Sequence, residues 1–399
     1  MNKDKHIPQG YKESPLGIIP KEWEVKRLED CFEISAGRDL EKDFYSSTKT
    51  SKCCYPIFSN SLENKGLYGY TSQPRHKGNS ITITGRGTLG HAEYRTEDYD
   101  AIIRLLVLSP KIEISCKLIS DYINYTTPFI YESTGVPQLT APQIKSTKLL
   151  LPPYKEQQGI VEVLQLWDTA IEIQSELIEK LKLRKRALMH QLLTGKKRLP
   201  GFSGEWKVQK IKDHFMQIED RNDGKGHIPM TISAKYGLVS QKDKFDRVVA
   251  GNSLEKYTLL RKGDFAYNKG NSNLYEMGCI YRLKEESAVV PFVYICFRTK
   301  DNTCSEFYKH FFINHGLDSQ LKRIITSGAR GDGLLNVNSE DFMSLKIPYP
   351  IIEEQAAIAN VLNSADKEIE LANEKLASLQ SQKRGLMQQL LTGKKRIKI

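Results

Sequence analysis

From residue 156 to residue 194 the chain has no proline, and its apolar positions recur by fours and threes: Ile160, Leu164, Trp167, Ile171, Ile178, Leu181, Leu188 and Leu192. Gln174 and Lys185 interrupt the series. A later stretch repeats it with Ile358, Leu362, Ala365, Ile369, Ala372, Leu376, Leu379, Leu386 and Leu390, broken at Lys383. A 4-3 alternation held over more than four heptads predicts the seam of a coiled coil. Pro152, Pro153, Pro348 and Pro350 stand before the two segments, and Gly195 and Gly393 suit the position just past their ends. Acids gather at the starts (Glu156, Glu162; Glu353, Glu354) and bases toward the end of the first segment (Lys182, Arg184, Lys185, Arg186), as a helix dipole favours. Each helix of ~40 residues would be ~60 Å long.

The remaining stretches, 20–150 and 205–347, are short apolar runs broken by Gly, Pro, Asn and Ser, such as NSITITG at 79–85 and GDFAYNKG at 263–270. They predict mixed α/β (α+β) modules of several strands.

Sliding the chain along itself reveals a repeat. At an offset of 198, Glu156-Gln157 aligns with Glu354-Gln355, Asp168 with Asp366, and Lys185-Arg186 with Lys383-Arg384, and LLTGKKR closes both segments. At an offset of 183, KEWEVKRLEDCF from Lys21 matches GEWKVQKIKDHF from Gly204. At 185, KGNSITITGRG from Lys77 matches KGDFAYNKGN from Lys262. The expected plan is two tandem copies: a first module at 1–151, a helix at 152–198, a second module at 199–349 and a helix at 350–399. Shared ends do one structural job twice; divergent middles recognise two different things. A pseudo-two-fold relation would make the helices antiparallel, with the modules at opposite ends of a rod.

Charge then narrows the partners. The net charge is +11 with pI near 9.1, which favours an acidic partner, most commonly nucleic acid. The start has the character of neither signal peptide nor membrane span, so the expected location is the cytoplasm. The seven cysteines include no C-x-x-C pair, which reads as inert thiols with no metal.

Two motifs invite chemistry that their surroundings do not support. Gly85-Arg86-Gly87-Thr88-Leu89-Gly90 spells the dinucleotide fingerprint, but HAEYRTEDYDAIIRLLVL after it reads as strands where the fingerprint needs a helix. Leu151-Pro152-Pro153-Tyr154 resembles an amino-methyltransferase motif with leucine in place of the polar residue that takes the amino hydrogen. No phosphate-binding G-x-x-x-x-G-K-[ST] loop and no H-E-x-x-H occurs, so no catalytic site is expected. The glycine-rich loops at Arg86 and Lys269 can bring a cation and backbone N–H groups to a phosphate or a base edge, or can be tight turns with a solvated charge.

LPPYKEQQGIVEVL and its echo PYPIIEEQAAIANVL, the helix ends LMHQLLTGKKRLPGFSGEW and LMQQLLTGKKR, and the openings IPKEWEVKRL and SGEWKVQKI together resemble the specificity subunit of type I restriction-modification systems. The resemblance covers essentially the whole chain. It implies two target-recognition domains, each reading one half of a bipartite DNA site. The helices would set the spacer and hold two methyltransferase subunits, with restriction subunits able to add. Catalysis, and S-adenosylmethionine, would belong to those partners. Two other readings stay open on the residues: a stand-alone DNA-binding protein, and a methyltransferase or nuclease carrying its own readers.

Phosphate contacts are expected from Lys and Arg, and base readout from Arg, Asn and Gln. The candidates are Arg38, Lys52, Arg75, Lys77, Arg86 and Arg95 in the first module. In the second they are Arg221, Lys225, Asn268, Lys269, Asn271, Asn273, Lys322, Arg323 and Arg330. They are basic or amide residues in glycine-rich or polar loops, where a solvated surface residue is the more common account of any one of them.

Overall fold

The computed structural model describes residues 7–126, 129, 137–247, 251–270, 275–325 and 335–397. The chain divides into two compact units, residues 1–175 with 374–399 and residues 176–373. The long helices run Tyr154–Leu192 and Ile352–Leu390, 39 residues each, so each unit holds one globular domain and part of both helices. No described helix is long and apolar enough to cross a membrane.

In the first unit an antiparallel sheet orders the strands Phe32–Ala36, Leu106–Pro110, Ser80–Ile83 and Ala92–Arg95. A second sheet orders Asp100–Ala101, Tyr55–Phe58, Leu67–Thr71 and Tyr45–Ser46, with its first pair parallel. The strand Glu24–Arg27 pairs with Lys148–Leu151, so the start and end of the domain meet where the first long helix begins. The turn out of that first strand is held by Asp30, whose carboxylate accepts the Arg27 N–H at 3.0 Å.

The second unit builds the same plan. Phe215–Gln217, Ile295–Thr299, Phe265–Asn268 and Cys279–Arg282 form its antiparallel sheet. Ile228–Ser233 pairs parallel with Ser287–Val290 and antiparallel with Gly237–Ser240. Lys207–Lys210 pairs with Lys346–Tyr349, and Asp213 holds the Lys210 N–H at 3.0 Å, as Asp30 does in the first copy. The second sheets differ in their fourth strand. Thr258–Arg261 adds beside Ser287–Val290, whereas the first copy has Tyr45–Ser46 on the opposite edge.

The hairpin match at an offset of 185 is one residue out. Phe32 pairs with Pro110 and Phe215 with Thr299, which makes Leu108 and Phe297 corresponding residues. Leu108 faces Ile81 and Phe297 faces Phe265, an offset of 184. Ile81 and Ile83 then share the core face with Phe265 and Tyr267. Because side chains alternate along a strand, the slip of one residue would have exchanged the two faces.

The helix seam also does more than pair helix with helix. Ile160, Leu164 and Leu390 lie fully inside the core of the first domain, with Leu386 against it. Ile358, Leu362 and Leu192 lie inside that of the second, with Leu188 against it. Ile178, Ala365 and Ala372 are buried, while Trp167, Ile171, Leu181, Ile369, Leu376 and Leu379 are half-buried. Each end of the apolar stripe is therefore part of a domain core, which welds the helix to the domain.

Candidate nucleic-acid interface

The residues shared by the two copies form one clamp, built twice. In the first unit the Glu156 carboxylate is 1% exposed; it accepts the Trp23 indole N–H at 3.0 Å and two bonds from Arg396 at 2.7 and 2.8 Å. In the second unit Glu354 accepts the Trp206 indole N–H at 3.0 Å and two bonds from Arg198 at 2.5 and 2.6 Å. The arginine that ends each LLTGKKR is thus the counter-ion of the glutamate in the opposite helix. Gln157 bridges the Ser115 N–H and the Pro152 carbonyl at 2.8 Å each, and Gln355 bridges the Cys304 N–H and the Pro350 carbonyl at 2.8 Å each. Gly393 holds φ +71°, and a Cβ there would come within 2.6 Å of the Pro20 ring, so glycine is required where the helix end meets Trp23.

The two lysines that interrupt the seams are partners across it. Lys383 donates to Asp168 at 2.6 Å in the first unit, and Lys185 to Asp366 in the second. With the Glu–Arg clamps, these pairs make the helix segments within each unit antiparallel.

At one end of the first domain three loops converge. The residues Ile102 to Leu105 form a tight turn closed by the Leu105 N–H on the Ile102 carbonyl. Its central residues, Ile103 and Arg104, hold φ +47° and +60°. A β-branched residue in this left-handed region is strained. The turn is pinned on three sides. The Asn60 amide donates to the Ile103 carbonyl at 2.6 Å and accepts the Gly85 N–H at 2.7 Å. The Ile103 N–H donates to the Arg38 carbonyl at 3.1 Å. A Cβ on Gly85 would lie 2.9 Å from the Arg104 carbonyl oxygen, so only glycine permits this approach. Exposed Arg38, Arg86 and Arg104 thus share one end of the domain with exposed Ile103.

The other first-domain candidates are placed differently. Arg75 forks onto buried Asp100 at 2.7 Å twice and reaches Glu41 at 3.1 Å, and the Asp100 bonds raise its pKa further. Arg95 is 6% exposed, with its guanidinium 3.5 Å over the Phe58 ring and bonds to Thr82 and the Lys65 carbonyl. Burial pushes it down to about 10, so it stays charged at neutral pH as an internal cation. Lys77 is exposed and paired with Asp98 at 2.8 Å, and Lys52 is exposed. The Arg75 and Arg95 guanidinium groups are therefore engaged inside the domain, which the sequence alone did not indicate.

In the second domain exposed Arg221 lines a cleft of about 450 Å³ with Lys256, Glu219, Phe292 and Tyr294. Lys225 pairs with Asp223 at 3.1 Å, and with His227 holds that carboxyl down to about 2. Asn268 folds back on the Gly270 N–H at 3.0 Å. Lys269 accepts the Leu335 N–H on its carbonyl, the role Gly85 plays toward Leu139, so Arg86 and Lys269 are not equivalent residues. Lys322 and Arg323 are exposed on the short helix Asp318–Ile324. Asn271, Asn273 and Arg330 lie outside the described residues.

Asn60, Ile103, Arg104, Lys256 and Phe292 also stand at these ends, though no motif marks them in the sequence. The signal for the first turn was an arginine inside the apolar run AIIRLLVL, which read as unbroken strand. After the G-x-G-x-x-G loop comes the strand Ala92–Arg95, which offers no helix N-terminus to a pyrophosphate. Among the described residues no cluster of His, Cys, Asp and Glu is arranged to hold a metal. The cysteines are free thiols, and burial pushes Cys116 and Cys296 up to about 12.

The family model described as the type I restriction modification DNA specificity domain matches twice, over residues 20–183 and 204–381. The type I restriction enzyme MjaVIII specificity subunit of Methanocaldococcus jannaschii is 22% identical over 98% of both chains. The S subunit of a type-I restriction-modification system from M. genitalium shares the fold with a TM-score of 0.56 and 14% identity, over 92% of this chain and 96% of that one. A chain from a study of complex assembly and conformational transition in the type I R-M system superposes with a TM-score of 0.60 and 12% identity, over 94% of this chain and 99% of the other. A repeated fold, a doubled clamp and two matches to one family model lead to the same conclusion: the chain belongs to the type I restriction-modification DNA specificity family.

Proposed function

We propose that this chain is the DNA-reading, non-catalytic subunit of a type I restriction-modification complex in the cytoplasm. Residues 1–151 read one half of a bipartite duplex site and residues 199–349 read the other, while the long helices fix the spacing between the halves. Two methyltransferase subunits dock on the helices, and two restriction subunits can join them. S-adenosylmethionine and methyl transfer to N6 of a flipped adenine belong to the methyltransferase partners, and this chain holds no cofactor.

The observation that carries this reading is the contrast between the copies. The Trp–Glu–Arg clamp is reproduced bond for bond, whereas equivalent strand connections differ, residues 59–66 in the first copy against 234–236 in the second. A scaffold that must hold the same kind of partner twice and read two different sequences has this distribution of likeness. The charge of +11 supplies the phosphate attraction, with Arg38 and Arg86 in the first domain and Arg221 in the second as backbone contacts. Leu166 and Ile173, 70% and 62% exposed, stand seven residues apart on the first long helix with Ala170 between them. That apolar stripe suits a helix of the methyltransferase subunit. Exchanging residues 205–347 for the corresponding module of another family member tests the reading. One half of the methylated motif should change and the other persist; a change in both halves, or in neither, would contradict it.

A further inference from the structure

The strained turn at Ile103 has a counterpart in the second copy that sequence comparison does not reveal. The strand register makes Leu106 and Ile295 equivalent, which places Ile103 opposite Phe292. Both lie in four-residue turns that join the parallel-paired strand to the central strand of the main sheet. The first closes with the Leu105 N–H on the Ile102 carbonyl at 3.3 Å, the second with the Tyr294 N–H on the Pro291 carbonyl at 3.0 Å. Each turn is tied to its neighbour by different chemistry: the Asn60 amide, in the loop just past Tyr55–Phe58, donates to the Ile103 carbonyl, and the Tyr294 hydroxyl bonds Thr231 and the Ile232 N–H in the strand Ile228–Ser233. Each carries a large apolar side chain in solvent, Ile103 at 48% and Phe292 at 59% exposure. Six residues after the buried phenylalanine that opens each edge strand, Phe32 or Phe215, stands an exposed arginine: Arg38 bonded through its backbone to the first turn, Arg221 in the cleft beside the second.

A single exposed apolar residue needs no explanation. Two at equivalent positions, on rigidly held turns of otherwise divergent sequence and each beside a cation, do. We propose that Ile103 and Phe292 are the base-contacting tips of the two domains, entering a groove of duplex DNA to pack against bases while Arg38 and Arg221 neutralise adjacent phosphates. Apolar side chains serve in this way as partners of the thymine methyl and as wedges at base steps. The proposal rests on the reading that each domain binds one half-site.

The test uses the full chain co-assembled with its methyltransferase partner and selection of bound duplexes from a randomised pool. I103A should lower discrimination roughly tenfold at one or two positions of one half-site, and F292A should do so in the other half-site alone. Both side chains are exposed, and thermal unfolding confirms that each variant is folded; I103G, which also relieves the positive φ, serves as a second variant at the first turn. R38A should instead weaken binding evenly across sequences. Selectivity unchanged in I103A, I103G and F292A, with the parent still choosing a split motif, overturns the proposal alone. A parent that selects no motif overturns the half-site reading beneath it as well.

Discussion

Replacing Arg396 with alanine isolates what the repeated ends of the chain do. Among the described residues, the substitution leaves the Glu156 carboxylate, 1% exposed, with the Trp23 indole N–H as its one remaining partner. Removing one partner of a buried pair costs about 3–5 kcal/mol, because the remaining charge is uncompensated. About a third of the Arg396 side chain faces water, at 35%, which places the expected loss near the lower end, about 3 kcal/mol. For a unit of about 200 residues that corresponds to a melting transition roughly 6–12 °C lower. Adding E156Q removes the stranded charge and should recover most of the loss, with a coupling of about 2 kcal/mol in the double-mutant cycle. R198A should do the same to the second unit, and the two losses should add, because the clamps share no residue. Calorimetry and urea unfolding of R396A, E156Q, R198A and the two double variants provide the numbers. A loss below about 1 kcal/mol for R396A, or no recovery with E156Q, would refute the argument that the shared ends are clamps.

Three further perturbations follow from the geometry. Buried His310 donates to Asn363 at 2.9 Å, and desolvation with nearby Lys309 lowers its pKa to about 4. The unfolded chain therefore binds a proton there that the folded one does not, so this stability is whole above about pH 6.5 and falls as pH drops toward 4, by up to about 3 kcal/mol. H310Q should flatten urea-unfolding stability across that window, and an unchanged pH profile would contradict the assignment. L166K with I173K should leave the melting temperature of the free chain unaltered but reduce co-purification of the methyltransferase subunit; full retention would remove the stripe as its dock. R38A should lower the log-log salt slope of DNA binding by about 0.9, whereas K77A, whose lysine is paired with Asp98, should lower it less; equal slopes would count against Arg38 as a phosphate contact.

Much of the architecture was legible because the chain states it twice. The recurrence of LLTGKKR, Glu-Gln and Trp at fixed offsets pointed to one job done in two places, and in the structure those letters meet around Glu156 and Glu354. What the letters could not convey was that Arg396 reaches the first helix, since the contact joins residues 240 positions apart. Lys185 and Lys383 looked like faults in an apolar stripe because their acids lie on the other helix. The hairpin match failed by one residue because glycine and small polar residues align equally well in two registers, and only inter-strand pairing chooses between them. The recognition ends were the least legible. Whether an arginine faces solvent, as Arg38 does, or lies over an internal ring, as Arg95 does, depends on tertiary neighbours. Ile103 and Phe292 share neither type nor local sequence, and only the strand register equates them.

If two divergent domains on one repeated frame read the two halves of one DNA site for a methyltransferase, the methylated motif of the cell depends on this gene. The measurement is a genome-wide map of N6-methyladenine with the gene present and deleted. Deletion should remove a single split, asymmetric motif with a constant spacer, and restoring the gene should return it. A map that retains all its methylated motifs in the deletion, in a cell where the partner methyltransferase is expressed and active, would contradict it.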